Sequence, residues 1–163
     1  MSDKQPATQR ALILSRVRDR IEALFGAQGS QAQLFREVWR RPWQPGNPNR
    51  PAVTVSDNGV ERSDGCSDET KKRVGKFHVV VDLVADGSRQ GQMEDWSDRI
   101  EALALAIQNF NPQCGVMRMD YLSDDPFTVE IPNGPSEKIW TIMFEYEYVV
   151  GVTAFADKTG SKT

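Results

Sequence analysis

The sequence has one histidine and only two cysteines, and this scarcity argues against several kinds of chemistry. His78 alternates with apolar residues in a strand-like segment, and no second ligand stands at a metal-binding spacing. We therefore expect no metal site and no cofactor. A nucleophilic Cys–His pair would have to bring Cys66 or Cys114 to His78 from far along the chain. A disulfide between the two cysteines is disfavoured under cytosolic redox conditions.

The signatures of common enzymes and of membrane proteins are also missing. There is no Walker A motif, no G-x-G-x-x-G fingerprint and no G-x-S-x-G nucleophile elbow. The segment DGCSDE lacks the ligand alternation and the central glycine of a calcium loop. No apolar run approaches the roughly 20 residues that span a bilayer, and the start, MSDKQPATQR, has no apolar signal segment. We expect a protein that is not an enzyme, does not enter membranes and stays in the cytosol where it is made.

Charge is distributed unevenly along the chain, although the net charge is only −3. Through Arg50 there are nine basic and four acidic residues, whereas the remainder has eleven basic and nineteen acidic residues. Eight of the nine early basic residues are arginine, which suits interfaces that face carboxylates. If the two parts occupy different faces, the domain has a basic and an acidic side and could stack head-to-tail with copies or with unlike partners. The alternative is that the two parts intermix in the fold as ordinary solvated faces.

The composition is typical of a single globular domain. Hydrophobic residues make up 39% and charged residues 26% of the 163 residues, and we predict one domain over 1–163. A chain of this size buries roughly 70% of its unfolded surface and needs no disulfide or metal to hold a core. Residues 1–7 and 157–163 are polar and are predicted to be disordered tails.

Two segments have the apolar periodicity of helices that pack on a core. The first helix is predicted between Thr8 as N-cap and Gly26 as C-terminal stop. The second is predicted over about 92–110 and ends before Pro112. The apolar stripe of the first helix consists of Leu14, Val17, Ile21 and Leu24, and that of the second of Met93, Trp96, Ile100, Leu103, Ile107 and Phe110.

Five segments are predicted to be strands. Their bounds are 34–39, 52–56, 74–85, 116–122 and 138–150. The first also has helical i, i+4 spacings, but its β-branched and aromatic content favours a strand. Three prolines predict that 123–136 is mostly loop. In the last strand Glu145 and Glu147 lie on the face opposite the aromatic side chains, as a catalytic carboxylate pair would, although acids on a solvated or subunit-facing side are the more common case.

A polar excursion of 17 residues, 57–73 (DNGVERSDGCSDETKKR), separates the second and third predicted strands. This is long for a hairpin loop in a compact domain. We hypothesise that it is a surface arm that is mobile in the free subunit and becomes ordered against a neighbouring subunit. Its candidate interface residues are Asp57, Glu61, Arg62, Asp64, Asp68, Glu69, Lys71, Lys72 and Arg73.

Arginines near two tryptophans form a candidate basic interface. They are Arg36, Arg40 and Arg41. Arginine beside aromatic rings can contact phosphates and stack on bases, but a sequence pI near 5.2 argues against a dedicated nucleic-acid binder. A small hydrolase or nuclease that uses Asp57, Asp64 or the Glu145/Glu147 pair is a remote alternative.

The order of the segments resembles the tail terminator (tail completion) proteins of long-tailed bacteriophages, and the resemblance covers most of 9–150. No single segment is diagnostic, and the specificity lies in the ordered set. The segments are RIEALF at 20–25, FREVWRRP at 35–42, PAVTV at 51–55, the polar arm, FHVVVDLVADG at 77–87, WSDRIEALALAIQ at 96–108 and WTIMFEYEYVV at 140–150.

The resemblance implies an α+β fold in which two amphipathic helices pack on a mainly antiparallel sheet with a long β-hairpin arm. It also implies a structural virion protein that forms a homo-hexameric ring, caps the tail tube, terminates tail polymerisation and provides the head-joining surface. The expected partners are other copies of the chain, the tail tube protein and a head-completion or connector protein. DNA would pass through the channel without sequence-specific binding, and Glu145 and Glu147 could limit its sticking by repulsion.

The resemblance further implies a location at the head-proximal end of the virion tail, after assembly in the host cytoplasm. A head-to-tail connector or neck protein of the same virion is the alternative, because such proteins have similar size and ring symmetry. Binding to purified tail tubes rather than to heads would distinguish the two.

Overall fold

The computed structural model describes residues 8–42, 44, 51–61, 74–86, 93–129 and 137–150, so both predicted tails lie outside the described residues. The elements are α1 (Gln9–Phe25), β1 (Glu37–Trp39), β2 (Ala52–Glu61), β3 (Val74–Asp86), α2 (Met93–Gln108), β4 (Val116–Val129) and β5 (Glu137–Val149). The strands form one sheet in the order β1-β2-β3-β5-β4. β1 is parallel to β2, and the other neighbours are antiparallel. The predicted α+β class is confirmed.

Helix α1 begins and ends at the predicted capping residues. The Thr8 hydroxyl accepts a hydrogen bond of 3.1 Å from the Ala11 N–H, which satisfies a donor of the first turn. At the other end the Gly26 N–H donates to the Glu22 carbonyl at 3.0 Å. A Cβ on Gly26 would lie 2.7 Å from that carbonyl oxygen, so glycine permits this close approach.

One continuous core lies between the two helices and one face of the sheet. The predicted stripe of α1 is buried in full, as are four residues of the α2 stripe: Trp96, Ile100, Leu103 and Ile107. Phe110 follows the end of α2 and is half-buried under the Arg20 guanidinium, 5.4 Å from its ring centroid. The sheet contributes every second residue of its central strands, because successive strand side chains point to opposite faces. These residues are Phe77, Val79, Val81, Leu83, Ile142, Phe144 and Tyr146.

Strand β2 is longer than predicted. It was expected to end at residue 56, but it continues to Glu61, where Glu61 pairs with Lys76 of β3. The pairing shifts between Asp57 and Val60, which is the mark of a β-bulge. The first five residues of the predicted excursion therefore belong to a paired strand, and 62–73 lie outside the described residues.

The bounds of β4 and β1 also differ from prediction. β4 was expected to end at residue 122, with loop beyond, but it runs to Val129 and pairs with β5 throughout. It includes Pro126, which an edge strand tolerates because the missing N–H need not pair. β1 is only three residues long, because the N–H groups of Leu34 and Phe35 donate instead to the Phe25 carbonyl at 3.1 and 3.0 Å.

Tyr146 places a polar hydroxyl in the core, and substituting it tests the effect of that hydroxyl on stability. Its ring stacks on Phe77 with centroids 5.7 Å apart, and its hydroxyl is buried with no hydrogen-bond partner among the described residues. Burial also raises the pKa of this hydroxyl above its ordinary value. We predict that Tyr146→Phe leaves the free energy of unfolding unchanged or raises it by up to about 1 kcal/mol, because it removes a desolvated polar group without a large cavity. Urea denaturation at pH 7 measures the difference.

The matched control is Tyr146→Ala, which is expected to cost about 3–5 kcal/mol because it leaves a cavity. A loss above about 1 kcal/mol for Tyr146→Phe would contradict the description of the hydroxyl as unsatisfied.

Candidate functional site

The sheet face opposite the helices has a group of charged side chains at one end, which we call the charged ladder. The strand register arranges it in two rows across β3, β5 and β4. One row is Lys76, Glu147 and Arg118, and the other is His78, Glu145 and Asp120. The structure thus places the two predicted channel acids side by side on one surface.

Both acids of the charged ladder contact cationic or hydrogen-bonding groups on the neighbouring strand. The Lys76 Nζ lies 3.8 Å from Glu145 Oε1 and 3.6 Å from Glu147 Oε2. The His78 Nε2 lies 3.1 Å from Glu145 Oε2. The glutamate side chains are only 25% and 26% exposed. Only the strand register shows which acids Lys76 and His78 meet.

Arg118 and Asp120 complete the charged ladder on the edge strand. The Arg118 Nε lies 2.8 Å from the Asp120 carboxylate. The ladder as a whole therefore pairs two basic residues with three acids, in addition to His78. Such mutual pairing occupies the cations, which are then less available to an external anion.

The described residues give no sign of a metal centre or of a membrane span. They contain no group of three or more His, Cys, Asp or Glu side chains that could hold a metal ion. None of the helices within the described ranges is long and apolar enough to cross a membrane. Cys66 lies outside the described residues, so the expectation about a disulfide stays a prediction.

The predicted basic interface lies at the open edge of the sheet formed by β1, and we call it the basic edge. It consists of the predicted Arg36, Arg40 and Arg41 and of Arg18 on α1, whose guanidinium also pairs with Asp19 and Glu22. The Arg41 guanidinium stacks on Trp39, 3.2 Å from the ring centroid. The Arg40 Nη1 donates to Ser15 Oγ at 2.8 Å, and the Arg18 Nε donates to the Val38 carbonyl at 3.0 Å. Helix α1 and β1 thus hold these guanidinium groups together at one side of the domain.

The opposite open edge of the sheet is β4, and its exposed acids form what we call the acidic edge. These acids are Asp124 and Asp125, and neither has a cationic partner among the described residues. Asp124 accepts hydrogen bonds from the Tyr121 hydroxyl and from Trp140 Nε1, the latter at 3.3 Å. Partial burial and the two neighbouring carboxylates raise the pKa of the Tyr121 hydroxyl to about 12. Sequence reasoning missed this edge because its prolines suggested a loop.

Large apolar side chains lie exposed on the first half of β4. Met117 is 54% exposed, Leu122 44% and Tyr121 37%. A groove of about 280 Å³ adjoins Met117 between β4 and the segment that follows α2. Its apolar lining includes Phe110, Pro112, Val116 and Met119.

The base of the predicted arm contacts helix α1. The Asp57 carboxylate lies 3.4 Å from Arg10 Nε. Glu61 is the last residue of β2. The other candidate arm residues lie outside the described residues: Arg62, Asp64, Asp68, Glu69, Lys71, Lys72 and Arg73.

A buried acid that sequence reasoning did not single out lies further along the face of the charged ladder. Asp82 is 9% exposed at the centre of β3, and its Oδ1 accepts a 2.6 Å hydrogen bond from the Thr141 hydroxyl. Burial raises the pKa of the Asp82 carboxyl above its ordinary value, and the Thr141 hydrogen bond offsets part of that rise. Its position in an alternating strand gave no signal, because the burial of that face depends on tertiary packing.

We predict that Asp82→Asn stabilises the protein at pH 7. A carboxyl whose pKa is higher in the folded than in the unfolded state destabilises the fold when ionised. This penalty shrinks as the pH falls through the folded-state pKa, and it disappears below the unfolded value of about 3.9. The urea midpoint of Asp82→Asn should therefore exceed that of wild type at pH 7 and converge with it toward pH 4.

Asp125→Asn is the matched control, because Asp125 lies in the same row of the sheet opposite Thr141 but is exposed. It should shift the midpoint little at either pH. A lower midpoint for Asp82→Asn at pH 7 would contradict the prediction and would indicate that the ionised carboxylate has a stabilising partner.

The chain matches no protein-family model, and no curated protein is significantly similar to it. Its function must therefore be argued from its own residues, surfaces and order of segments.

Proposed function

We propose that this chain is a structural virion protein that caps the tail tube of a long-tailed bacteriophage as a homo-hexameric ring, terminates tail polymerisation and provides the head-joining surface. The observation that carries the proposal is the ordered resemblance of its segments to tail terminator proteins. The fold supports it, since five of these segments lie wholly or largely on α1, β2, β3, α2 and β5, and the segment at 35–42 contains β1.

The β2–β3 pairing supports the proposed hairpin arm. The two strands remain paired up to Glu61 and Lys76, and they enter and leave residues 62–73 side by side. The Asp57–Arg10 ion pair joins the base of this hairpin to α1. A polar connection of twelve residues on a fixed base supports the proposal that this segment contacts a neighbouring subunit.

The charged ladder suits a surface that DNA must pass without sticking. Affinity for DNA comes largely from cations that replace counterions at phosphates. Lys76 contacts both glutamates, and Arg118 contacts Asp120, so both cations of the ladder are already paired. In the proposed ring this face lines the channel, and the acids act by masking cations as well as by repelling phosphates.

The function is tested by size-exclusion chromatography with light scattering on the free protein, followed by incubation with tail tubes assembled from the cognate tube protein. We expect either a hexamer or a monomer that becomes a ring at tube ends. Electron microscopy should show capped ends, and capped tubes should not elongate when tube protein is added. A protein that ignores tubes would contradict the proposal, and binding to heads alone would identify a connector.

An arm-shortened variant separates the role of the arm from that of the domain. It replaces residues 62–73 with Thr-Thr-Asn-Gly, which keeps Glu61 opposite Lys76 and closes the hairpin with a two-residue turn. We expect the variant to keep its circular dichroism spectrum and to lose capping, because the contact with the neighbouring subunit is gone. Normal capping by this variant would show that the arm is dispensable.

We predict that Glu145→Gln/Glu147→Gln increases the affinity of the assembled ring for duplex DNA. The substitutions keep side-chain size but leave Lys76 without its ion-pair partners, so that it can contact phosphate. Fluorescence anisotropy across a salt series should show tighter binding, with a slope of log K against log salt steeper by about 0.9 for each cation that reaches a phosphate. Loss of these partly exposed ion pairs should cost no more than about 1 kcal/mol of folding stability.

The matched control adds Lys76→Gln to the double variant and should lower DNA affinity again, because the cation that the double variant frees is gone. Unfolding of the double variant would instead mean that the two glutamates are structural acids. Unchanged DNA binding in a folded ring would place the charged ladder outside the channel.

A further inference from the structure

The two open edges of the sheet differ in charge and lie on opposite sides of the domain. β1 forms one edge and β4 the other, with three strands between them. At about 4.8 Å per strand, the two edges are roughly 19 Å apart. Arg36 and Arg40 are exposed at the basic edge, whereas Asp124 and Asp125 are exposed at the acidic edge. The basic and the acidic parts of the sequence therefore contribute these exposed charges to opposite edges of the sheet.

The β4 edge has the features of a surface that a protein partner covers. Soluble proteins usually protect edge strands by shortness, charge or proline. β4 is 14 residues long, and its proline comes late, at position 126. The first half instead exposes Met117 at the groove, and Tyr121 and Leu122 further along the strand. An apolar patch with a charged rim is the usual anatomy of a protein interface.

We infer that the acidic edge of one copy binds the basic edge of a second copy, head to tail. The inference deepens the proposed function and rests on it for the closure of the contact into a ring. A two-fold contact of β4 with its own copy that is centred on Asp124 and Asp125 would bring like charges together, which is unfavourable. The basic edge offers the complement, since guanidinium groups bind carboxylates in a bidentate manner.

A contact between opposite edges of the same sheet leaves one free edge at each end of a pair. Further copies therefore add in the same way, and the assembly closes into a ring when the rotation per copy divides a full turn, about 60° for six copies. The shortness of β1 limits any strand pairing across the contact, so the arginine–carboxylate contacts and the exposed apolar side chains of β4 supply most of its specificity.

Cysteine cross-linking tests the contact whatever the resting oligomeric state. In a background with Cys66→Ser and Cys114→Ser, one variant receives Arg36→Cys and another Asp125→Cys. Under mild oxidation at high protein concentration, we expect the mixture to form cross-linked dimers several-fold above either variant alone. The control pairs Arg36→Cys with Glu101→Cys, because Glu101 is exposed on α2, away from both edges. A mixed yield no higher than the control overturns the inference.

Charge reversal tests the electrostatic part of the contact, and reversal in both partners tests whether the contact is restored. Arg40→Glu in the Arg36→Cys variant and Asp124→Lys in the Asp125→Cys variant should each lower the cross-linking yield several-fold when introduced into one partner. The yield should recover when both partners carry the reversal, because the edges are complementary again. The matched control, D98K/E101K on α2, should leave the yield unchanged. The assignment of these edges is overturned if the reversals leave the cross-linking yield unchanged. It is also overturned if the yield falls but does not recover in doubly reversed pairs whose circular dichroism matches that of wild type.

The two proposals fail separately. Specific edge-to-edge cross-linking in a protein that ignores tail tubes would sustain this inference and overturn the tail-capping function. Tube capping without edge-to-edge cross-linking would sustain the tail-capping function and overturn this inference.

Discussion

The antiparallel register between β3 and β5 is the constraint on which the rest of the structure depends. The pairing of the two strands runs from Val74 opposite Val149 to Asp86 opposite Glu137. It places Phe77 against Tyr146 on the helix side and His78 against Glu145 on the other side. Because side chains alternate with a period of two, a slip of one residue would move the core residues of one strand to the charged face. Core packing and the charged ladder are therefore set by the same pairing.

The central position of β3 and β5 also determines where the domain can bind partners through its sheet. Both strands are paired on each side, so within the described part of the chain only β1 and β4 offer open backbone edges. β1 is short and surrounded by arginines, which protects it from indiscriminate pairing. β4 is long, and its apolar side chains are exposed. This asymmetry distinguishes the two edges and favours a contact between unlike edges over a contact between two copies of the same edge.

Much of the fold was predictable where the local pattern and the tertiary environment agree. Thr8 and Gly26 mark the ends of α1 because capping is local chemistry. The alternation in β3 and β5 identified both strands because one face of each is buried. The helical stripe from Trp96 to Ile107 likewise identified α2.

Prediction failed where local turn signals lie inside paired strands. Asn58-Gly59 is a strong turn dipeptide, but here it falls within a bulge of β2 between Asp57 and Val60. Pro126 suggested a loop, yet it occupies an edge strand where the sheet does not need its N–H. The burial of Asp82 and the contact of Lys76 with two glutamates depend on which strands are neighbours. No pattern within a single segment contains that information.

The distribution of cations explains how one domain can meet two opposing requirements in the proposed ring. Subunit contacts need charges that are available to another copy, and a DNA channel needs charges that are not available to phosphates. Arg36 at the basic edge is exposed and donates its backbone N–H to Pro51, which leaves the side chain facing outward from a fixed base. Lys76 on the sheet face is instead held between two glutamates. In the proposed ring, the exposed Arg36 and Arg40 would therefore serve association, while pairing within the subunit would keep the face of the charged ladder weakly attractive to DNA.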